Sequence, residues 1–328
     1  MMKAVQITKF GGPEVLNVVD LPIPQPGPAG ILVKAHSIGV GKWDGVTRSG
    51  RYPYPVPLPT VLGIEMSGIV EAVGSEITDV KPGDKVFVLT ATRGCYAEYF
   101  VANRREVTLL GDRIDLDAAV ALSTYWHAWA MIYDAADARK VRTAYMTGAA
   151  GNIGTAICQL CKASGIDMIA GVSSDEKGAF ALANGAAHFI NTATETDLAA
   201  KIMEITGGRG VDLMIDHLVG PDFRDNLKFM VPLGQIVTIN ALNGLPSSDL
   251  FADLRKNLIK SVSVRAFSAH CYEIIPARFE EIMEECIALY EGGAWSPAIT
   301  EVHALADIRQ AHEILDAGKV LGKMVLKP

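Results

Sequence analysis

A chain of 328 residues has room for two domains of ordinary size, and a hydrophobic content of 49% is enough to fill two cores. Charged residues at 20%, with 31 glycines and 16 prolines, exclude wholesale disorder, collagen and coiled coil. A formal charge of −7 opposes broad attraction to a phosphate backbone, so no nucleic-acid partner is expected.

No apolar run reaches the roughly 18 to 20 residues that a membrane helix needs, and MMKAVQITKF lacks the basic-then-apolar order of a signal peptide. Cys95, Cys158, Cys161, Cys271 and Cys286 form an odd, widely spaced set, which suits a reducing compartment better than a disulfide framework. The expectation is a cytoplasmic protein with no membrane partner.

Short β-like runs open the chain: KAVQI, LNVVDL, ILVKAHSIGV, SGIVEAVG, DKVFV and YAEYFVA. Between them, prolines in 21–30 (LPIPQPGPAG) and 52–59 (YPYPVPLP) fix φ and remove backbone donors, so both segments read as extended connections. From about Asp117, Ala-rich helical stretches alternate with short apolar runs, the order of βαβ units and a parallel sheet. Those runs are TAYMT (143–147), DMIAGV (167–172), AHFIN (187–191), VDLMID (211–216), QIVTI (235–239) and SVRAF (263–267), six strands of one doubly wound sheet. Beyond the sheet, Phe279, Ile282, Met283, Cys286, Ile287 and Tyr290 fall on one helix face. Ile308, Ala311, His312 and Leu315 repeat that spacing before a last strand in GKMVL, so the final sixty or so residues are expected to rejoin the N-terminal β domain.

TAYMT runs directly into Gly148-Ala149-Ala150-Gly151-Asn152-Ile153-Gly154 and then into an apolar-faced helix, TAICQLCKASG. A strand, a glycine turn and a helix are what a diphosphate site requires, because free N–H groups and the helix dipole then face the anion. Gly151 is expected to admit the phosphates and Gly154 to let helix and strand pack closely, with Ala150, Asn152 and Ile153 lining the same turn. Ala149 stands where the first glycine of the usual pattern falls. Cys158 and Cys161 form CxxC inside this helix and read as packing residues.

The second strand of such a unit selects the cofactor. An acidic residue at its end holds a ribose hydroxyl and repels a 2′-phosphate. Here the chain reads Ser173-Ser174-Asp175-Glu176-Lys177, two hydroxyls followed one helical turn on by an ammonium, which favours NADPH. A second reading makes Ser173 or Ser174 a helix N-cap and leaves Asp175 to the ribose of NADH.

Seven ordered segments carry a resemblance: FGGPEVL, RSGRYP, LGIEMSGIVEAVG, VKPGDKVF, GAAGNIGTAICQLCK, ITGGRGVDLMIDHLVG and LGKMVLKP. On these the chain resembles the zinc-free quinone oxidoreductase branch, the zeta-crystallin-like branch, of the medium-chain dehydrogenase/reductase superfamily. The resemblance implies an α/β protein with a GroES-like, β-rich catalytic domain over 1–118 and 268–328. A Rossmann domain with a six-stranded parallel sheet is implied over 119–267. It also implies a homodimer, in some members doubled to a tetramer.

Residue by residue, the resemblance speaks against zinc. Zinc-dependent relatives place a Cys where this chain has Gly41 and a His where it has Ile64; Glu65 survives, but one carboxylate is not a zinc site. Many quinone reductases have an Asn at the position of Gly41 and a Tyr at that of Val46, whereas Tyr52 matches a second family tyrosine. Gly41, Trp43, Tyr52 and Trp126 are therefore candidates for the acceptor pocket; Trp43, Trp126, His127 and Trp129 suggest an aromatic-lined mouth, the other reading of each aromatic being core packing. Thr124 is expected near the nicotinamide carboxamide, and His217, Leu218, Ile239 and Asn240 at strand ends beside the dinucleotide. Lys323 matches a family position that reaches the cofactor, the other reading being an exposed strand-end lysine. His217 reads as a ribose contact, a loop cap or an acid; His36, His188, His270, His303 and His312 show no partner in the sequence and read as structural.

Without a Lewis acid, alcohol oxidation is hard, while hydride donation to a quinone or conjugated enone stays feasible. The implied activity is NADPH-dependent reduction of such acceptors. An enoyl-thioester or enone reductase of a biosynthetic pathway and a non-catalytic, crystallin-like cofactor binder are the alternatives.

Overall fold

The computed structural model describes residues 1–328, which divide into two compact units. The first opens with β1 (Met2–Ile7), β2 (Asn17–Leu21), β3 (Gly30–Val40) and α1 (Lys42–Arg48). It continues through β4 (Thr60–Val61), β5 (Glu65–Val73), β6 (Lys85–Leu89), β7 (Tyr99–Asn103), β8 (Val107–Leu109) and α2 (Leu116–Ala119). α3 (Leu122–Trp129) runs on into a π-helical turn over Ala130–Ala135. The second unit then alternates β9 (Thr143–Thr147), α4 (Asn152–Ala163), β10 (Asp167–Val172), α5 (Asp175–Ala183), β11 (His188–Asn191), α6 (Leu198–Ile205) and β12 (Val211–Asp216). β13 (Met230–Thr238), α7 (Leu250–Lys256), β14 (Ser263–Ala266) and α8 (Pro276–Glu291) follow. β15 (Ile299–Ala304), α9 (Ile308–Asp316) and β16 (Lys323–Lys327) return to the first unit.

In the first unit a seven-stranded sheet runs β15-β16-β3-β5-β6-β8, with β7 paired to β3, beside a small sheet ordered β2-β1-β4. Val33, Ile38, Met66, Val86, Val88, Ile308 and Leu326 meet in its core. Gly39 is a strand glycine with a visible reason: a β-carbon there would lie 1.9 Å from the Glu65 carboxylate, which occupies the space instead.

In the second unit six strands lie in the order β11-β10-β9-β12-β13-β14, every neighbouring pair parallel. Their apolar runs are nearly continuous because the strands are buried on both faces. The order reverses between β9 and β12, and in doubly wound sheets ligands bind at the strand C-termini of that switch point. This is the GroES-like plus Rossmann-type α/β fold expected from the sequence, and the strands at 143–147, 167–172 and 211–216 coincide with the runs read there.

Two features differ from the sequence reading. The units divide at 123/124 and near 286/287, where 118/119 and 267/268 were expected, so residues 268–286 and 293–295 belong to the Rossmann-type unit. Aromatic packing and one ion pair hold them there. Tyr272 and Phe279 set their edges against Trp126 at 5.3 and 5.2 Å, Arg278 grips Asp134 at 2.7 Å, and Tyr125 stacks on Trp295 at 3.7 Å. The second difference is β15, whose run ITEVHA alternates too weakly to stand out, yet pairs in parallel with β16.

Candidate cofactor and acceptor site

β9 ends at Thr147 and the chain turns through Gly148 at φ +67°, a left-handed backbone that favours glycine. The His217 imidazole lies over this turn, where a β-carbon on residue 148 would stand 2.3 Å from its Cε1, and the Thr147 hydroxyl meets His217 Nδ1 at 2.9 Å. Gly154 is required for contact, since a β-carbon there would fall 2.6 Å from the Ala149 backbone. Gly151 is different. A β-carbon there would meet only the Gly148 carbonyl, at 3.5 Å, and the open volume lies at the N-terminus of the twelve-residue helix α4, which no side chain caps. The free N–H groups of Asn152 and Ile153 begin this helix, the arrangement that receives a diphosphate. Ala150 is buried beneath the turn.

Thr124, buried on α3, donates through its hydroxyl to Asn152 Oδ1 at 3.0 Å, so two residues read separately in the sequence are joined. Asp216, at the end of β12, accepts from the Leu218 and Val219 N–H groups at 2.9 and 3.2 Å. The loop after β13 is tied to this one, with Asn243 N–H donating to the Leu218 carbonyl at 2.9 Å and Leu242 N–H to that of His217 at 3.3 Å. Ile239 donates to the Asp216 carbonyl at 3.0 Å and Asn240 is exposed.

At the end of β10, Ser174 caps α5 by accepting from the Lys177 N–H at 3.3 Å. The Lys177 ammonium donates to the Ser173 hydroxyl at 3.0 Å, which gathers a cation and two hydroxyls. Asp175 turns to β11, its carboxylate accepting from Asn191 Nδ2 at 2.9 Å. Cys158 and Cys161 are buried in α4, and burial pushes the Cys158 thiol up to about 12.

In the first unit Trp43 is 42% exposed and meets the edge of Tyr52 at 5.5 Å; Tyr54 lies 5.7 Å further along, and the Arg93 guanidinium sits over Tyr52. Gly41 precedes α1, and a β-carbon on it would find only Asp44 Oδ2 within 4 Å, at 3.9 Å. Trp126 departs from the pocket reading and follows the packing one. It is buried in the second unit among Tyr272, Phe279 and His127, and Trp129 lies against Tyr133 and Arg278, so these rings pack a core and line no mouth. Trp126 Nε1 has no partner.

Lys323 departs from the reading of an exposed strand end. It is 2% exposed, and its ammonium bonds Glu65 at 2.6 Å, the other Glu65 oxygen accepting from Ser123. Glu65 is thereby fully engaged. With Gly41 and Ile64 unable to ligate, the donor set at these positions does not fit zinc. Nowhere do three His, Cys, Asp or Glu side chains converge as a metal would need.

Four histidines also have partners the sequence did not reveal: His36 meets Asp117 at 3.1 Å, His270 meets Glu273 at 2.6 Å, and His303 meets Glu301 at 3.1 Å. His312 is fully buried, with Nδ1 2.8 Å from Arg48 Nη1 and Nε2 3.2 Å from the Tyr96 hydroxyl. The Asp44 carboxyl accepts the Gly41 N–H at 2.9 Å, and burial and then the Asp44 charge push the Tyr96 hydroxyl well up. Burial, and then the Glu65 charge, raise Asp44 from 3.8 to about 7 against the pull of its hydrogen bonds, while burial and the Arg48 charge lower His312 from 6.5 to about 4. The linked stabilities have opposite signs: that of Asp44 is lost as pH rises from 3.8 through about 7, that of His312 as pH falls from 6.5 through about 4. Near pH 5 folding in effect moves a proton from His312 to Asp44 with little net uptake.

Residues 27–112 match the family described as alcohol dehydrogenase GroES-like domain, and residues 152–288 match the zinc-binding dehydrogenase family. A quinone oxidoreductase of Pseudomonas aeruginosa is 32% identical, the alignment covering all of both chains. The chain belongs to the quinone oxidoreductase family of the medium-chain dehydrogenases/reductases. The family's solved members share its whole course: a quinone oxidoreductase of Pseudomonas syringae is 31% identical with TM-score 0.90 over 100% of both chains. The quinone oxidoreductase of Escherichia coli, solved with NADPH, is 28% identical with TM-score 0.89 over 99% of this chain and 100% of that one. As a member of this quinone oxidoreductase family the protein is an oxidoreductase, and no helix in it is long and apolar enough to cross a membrane.

Proposed function

We propose that the protein is an NADPH-dependent reductase that transfers hydride to a quinone or other conjugated carbonyl acceptor without a metal ion. The observation that carries this reading is the open volume at Gly151 beneath the uncapped N-terminus of α4, with Ser173 and Lys177 gathered at the end of β10. Ala150, Asn152, Ile153 and Gly154 complete the diphosphate cradle. His217, Leu218, Ile239 and Asn240 line the strand ends, and Thr124 on α3 is bonded to Asn152 of the turn. Asp175, occupied by Asn191, leaves the ribose 2′ position to Ser173, Ser174 and Lys177, which suits a phosphate. Lys323 is spent on Glu65 and takes no part in this reading.

When bound, NADPH supplies a hydride from the nicotinamide C4. The protein's part is to hold and orient. Gly41, Trp43 and Tyr52 receive the acceptor, whose conjugation spreads the incoming charge, so that orientation replaces a Lewis acid. The open space beside Gly41 admits enones as readily as quinones. NADPH consumption with 1,4-benzoquinone, 9,10-phenanthrenequinone, an enone and a crotonyl thioester ranks the acceptors, and rates at background with all four reject the reading. Lys177→Ala removes one charge-assisted bond worth roughly 1.5–3 kcal/mol, so the NADPH/NADH ratio of kcat/KM falls by about 10- to 100-fold. An unchanged ratio removes Lys177 from the phosphate site.

The assembly that suits this reading is a homodimer. β14 is one of the two edges of the six-stranded sheet, β11 being the other, and near β14 in the chain stand the exposed apolar residues Phe251, Leu258, Ile259, which is 95% exposed, and Ile274. Ile259→Arg is expected to convert dimer to monomer in sedimentation velocity; a variant that stays dimeric moves the interface elsewhere. The unpaired cysteines suit the cytoplasm.

A further inference from the structure

In the first unit the loop over 91–94 holds its backbone against local preference. Arg93 sits at φ +71°, in the left-handed region that favours glycine, and Gly94 follows at φ +117°. Such a conformation persists only where the surroundings fix it, and here they do. Thr90 N–H donates to the Ile64 carbonyl at 2.8 Å, Cys95 N–H to that of Gly63 at 3.0 Å and Tyr96 N–H to that of Leu62 at 2.8 Å. The turn carries the half-buried Arg93 guanidinium to 5.1 Å from the centre of the Tyr52 ring, and no carboxylate pairs with it. The rings are held as firmly. Pro53, Pro55, Pro57 and Pro59 restrict the backbone around Tyr54, so presenting a ring there loses little further entropy. Trp43 and Tyr52 stand edge to face at 78°, with Tyr54 beside Tyr52, and together they form an aromatic corner.

The accessible charges at this corner have one sign. Between 42 and 63 the charged residues are Lys42, Asp44, Arg48 and Arg51. Asp44 is buried, and Arg48 is buried and paired with Asp316. Lys42 and Arg51 are exposed, next in the chain to Trp43 and Tyr52, and neither has an acidic partner. Glu106, which reaches the start of the 91–94 loop, is already bonded to the Thr90 hydroxyl at 2.5 Å and the Asn103 N–H at 2.8 Å. In a chain of net charge −7, a surface left with cations alone is complementary to an anion.

We infer that this corner selects acceptors that carry a negative group on a flat conjugated ring system, a selection that rests on the hydride-transfer reading above. The electron-poor ring of a polycyclic quinone lies against the electron-rich faces of Trp43 and Tyr52. Its carboxylate or sulfonate takes the Arg93 guanidinium, whose planar fork stacks on Tyr52 and still donates at its edge. Lys42 and Arg51 add attraction at longer range, which salt screens.

Two probes separate charge from shape: anthraquinone-2-sulfonate and its neutral sulfonamide. Trp43 is the one exposed tryptophan, Trp126, Trp129 and Trp295 being buried, so quenching of its fluorescence in cofactor-free protein reads the corner directly. Wild type should bind the sulfonate about tenfold more tightly than the sulfonamide. Salt at about 0.5 M should remove most of that margin. Arg93→Gln should bring the ratio of the two Kd values close to one. The surface pair Lys42→Gln/Arg51→Gln should cut it by about two- to threefold, and carries the test if Arg93→Gln does not fold. In turnover, kcat/KM for 9,10-phenanthrenequinone-2-sulfonate relative to its parent quinone should fall about tenfold in Arg93→Gln. Equal wild-type affinity for both probes, or a margin untouched in both variants, overturns the selection, while reduction of the parent quinone leaves hydride transfer standing. Charge-selective binding with neither quinone reduced upholds the anion site and overturns hydride transfer instead.

Discussion

Gly151→Val is expected to weaken NADPH binding by roughly 10²- to 10⁴-fold while leaving the thermal midpoint near its wild-type value. Residue 151 sits at φ −79°, ψ 177°, extended backbone that valine adopts freely, and a β-carbon there meets nothing closer than 3.5 Å. The added isopropyl group instead fills the volume a diphosphate would use, displacing about two charge-assisted bonds from helix N–H groups at ~1.5–3 kcal/mol each. Gly154→Ala is the converse. Its methyl would press on the Ala149 backbone, so α4 must move off β9 at a cost of about 1–3 kcal/mol, and stability drops along with binding. Fluorescence titration with NADPH beside thermal unfolding separates the two glycines. Full affinity in Gly151→Val refutes the cradle.

Lys323→Met should produce the largest loss of stability in the first unit. The ammonium and the Glu65 carboxylate are both buried, 2.6 Å apart, and removing one charge strands the other. A buried pair broken this way costs about 3–5 kcal/mol, whereas replacing both members with apolar or neutral groups is often close to neutral. Backbone amides of β5 and β16 are then expected to exchange hydrogen roughly 10²- to 10³-fold faster, with β9 and β10 in the other unit unaffected. The double variant Glu65→Gln/Lys323→Met should recover most of that protection. Unchanged exchange in Lys323→Met means that the pair carries no stability.

The amino-acid sequence alone determined the β-rich opening, the six parallel strands, the glycine turn and the cluster at 173–177. Each of these depends on residues within about thirty positions of one another. An apolar run between turn residues forms a strand, and a glycine before a helix leaves its N–H groups free, whatever surrounds them. The tertiary structure decided the rest. His312 appeared as one more residue on an apolar helix face because its partners, Tyr96 and Arg48, lie 216 and 264 positions away. Lys323 reached Glu65 across 258 positions, and Trp126 entered a core closed by Tyr272 and Phe279. Periodicity marks which face of an element is buried but not what it is buried against, and the protonation of Asp44 depends on that second fact.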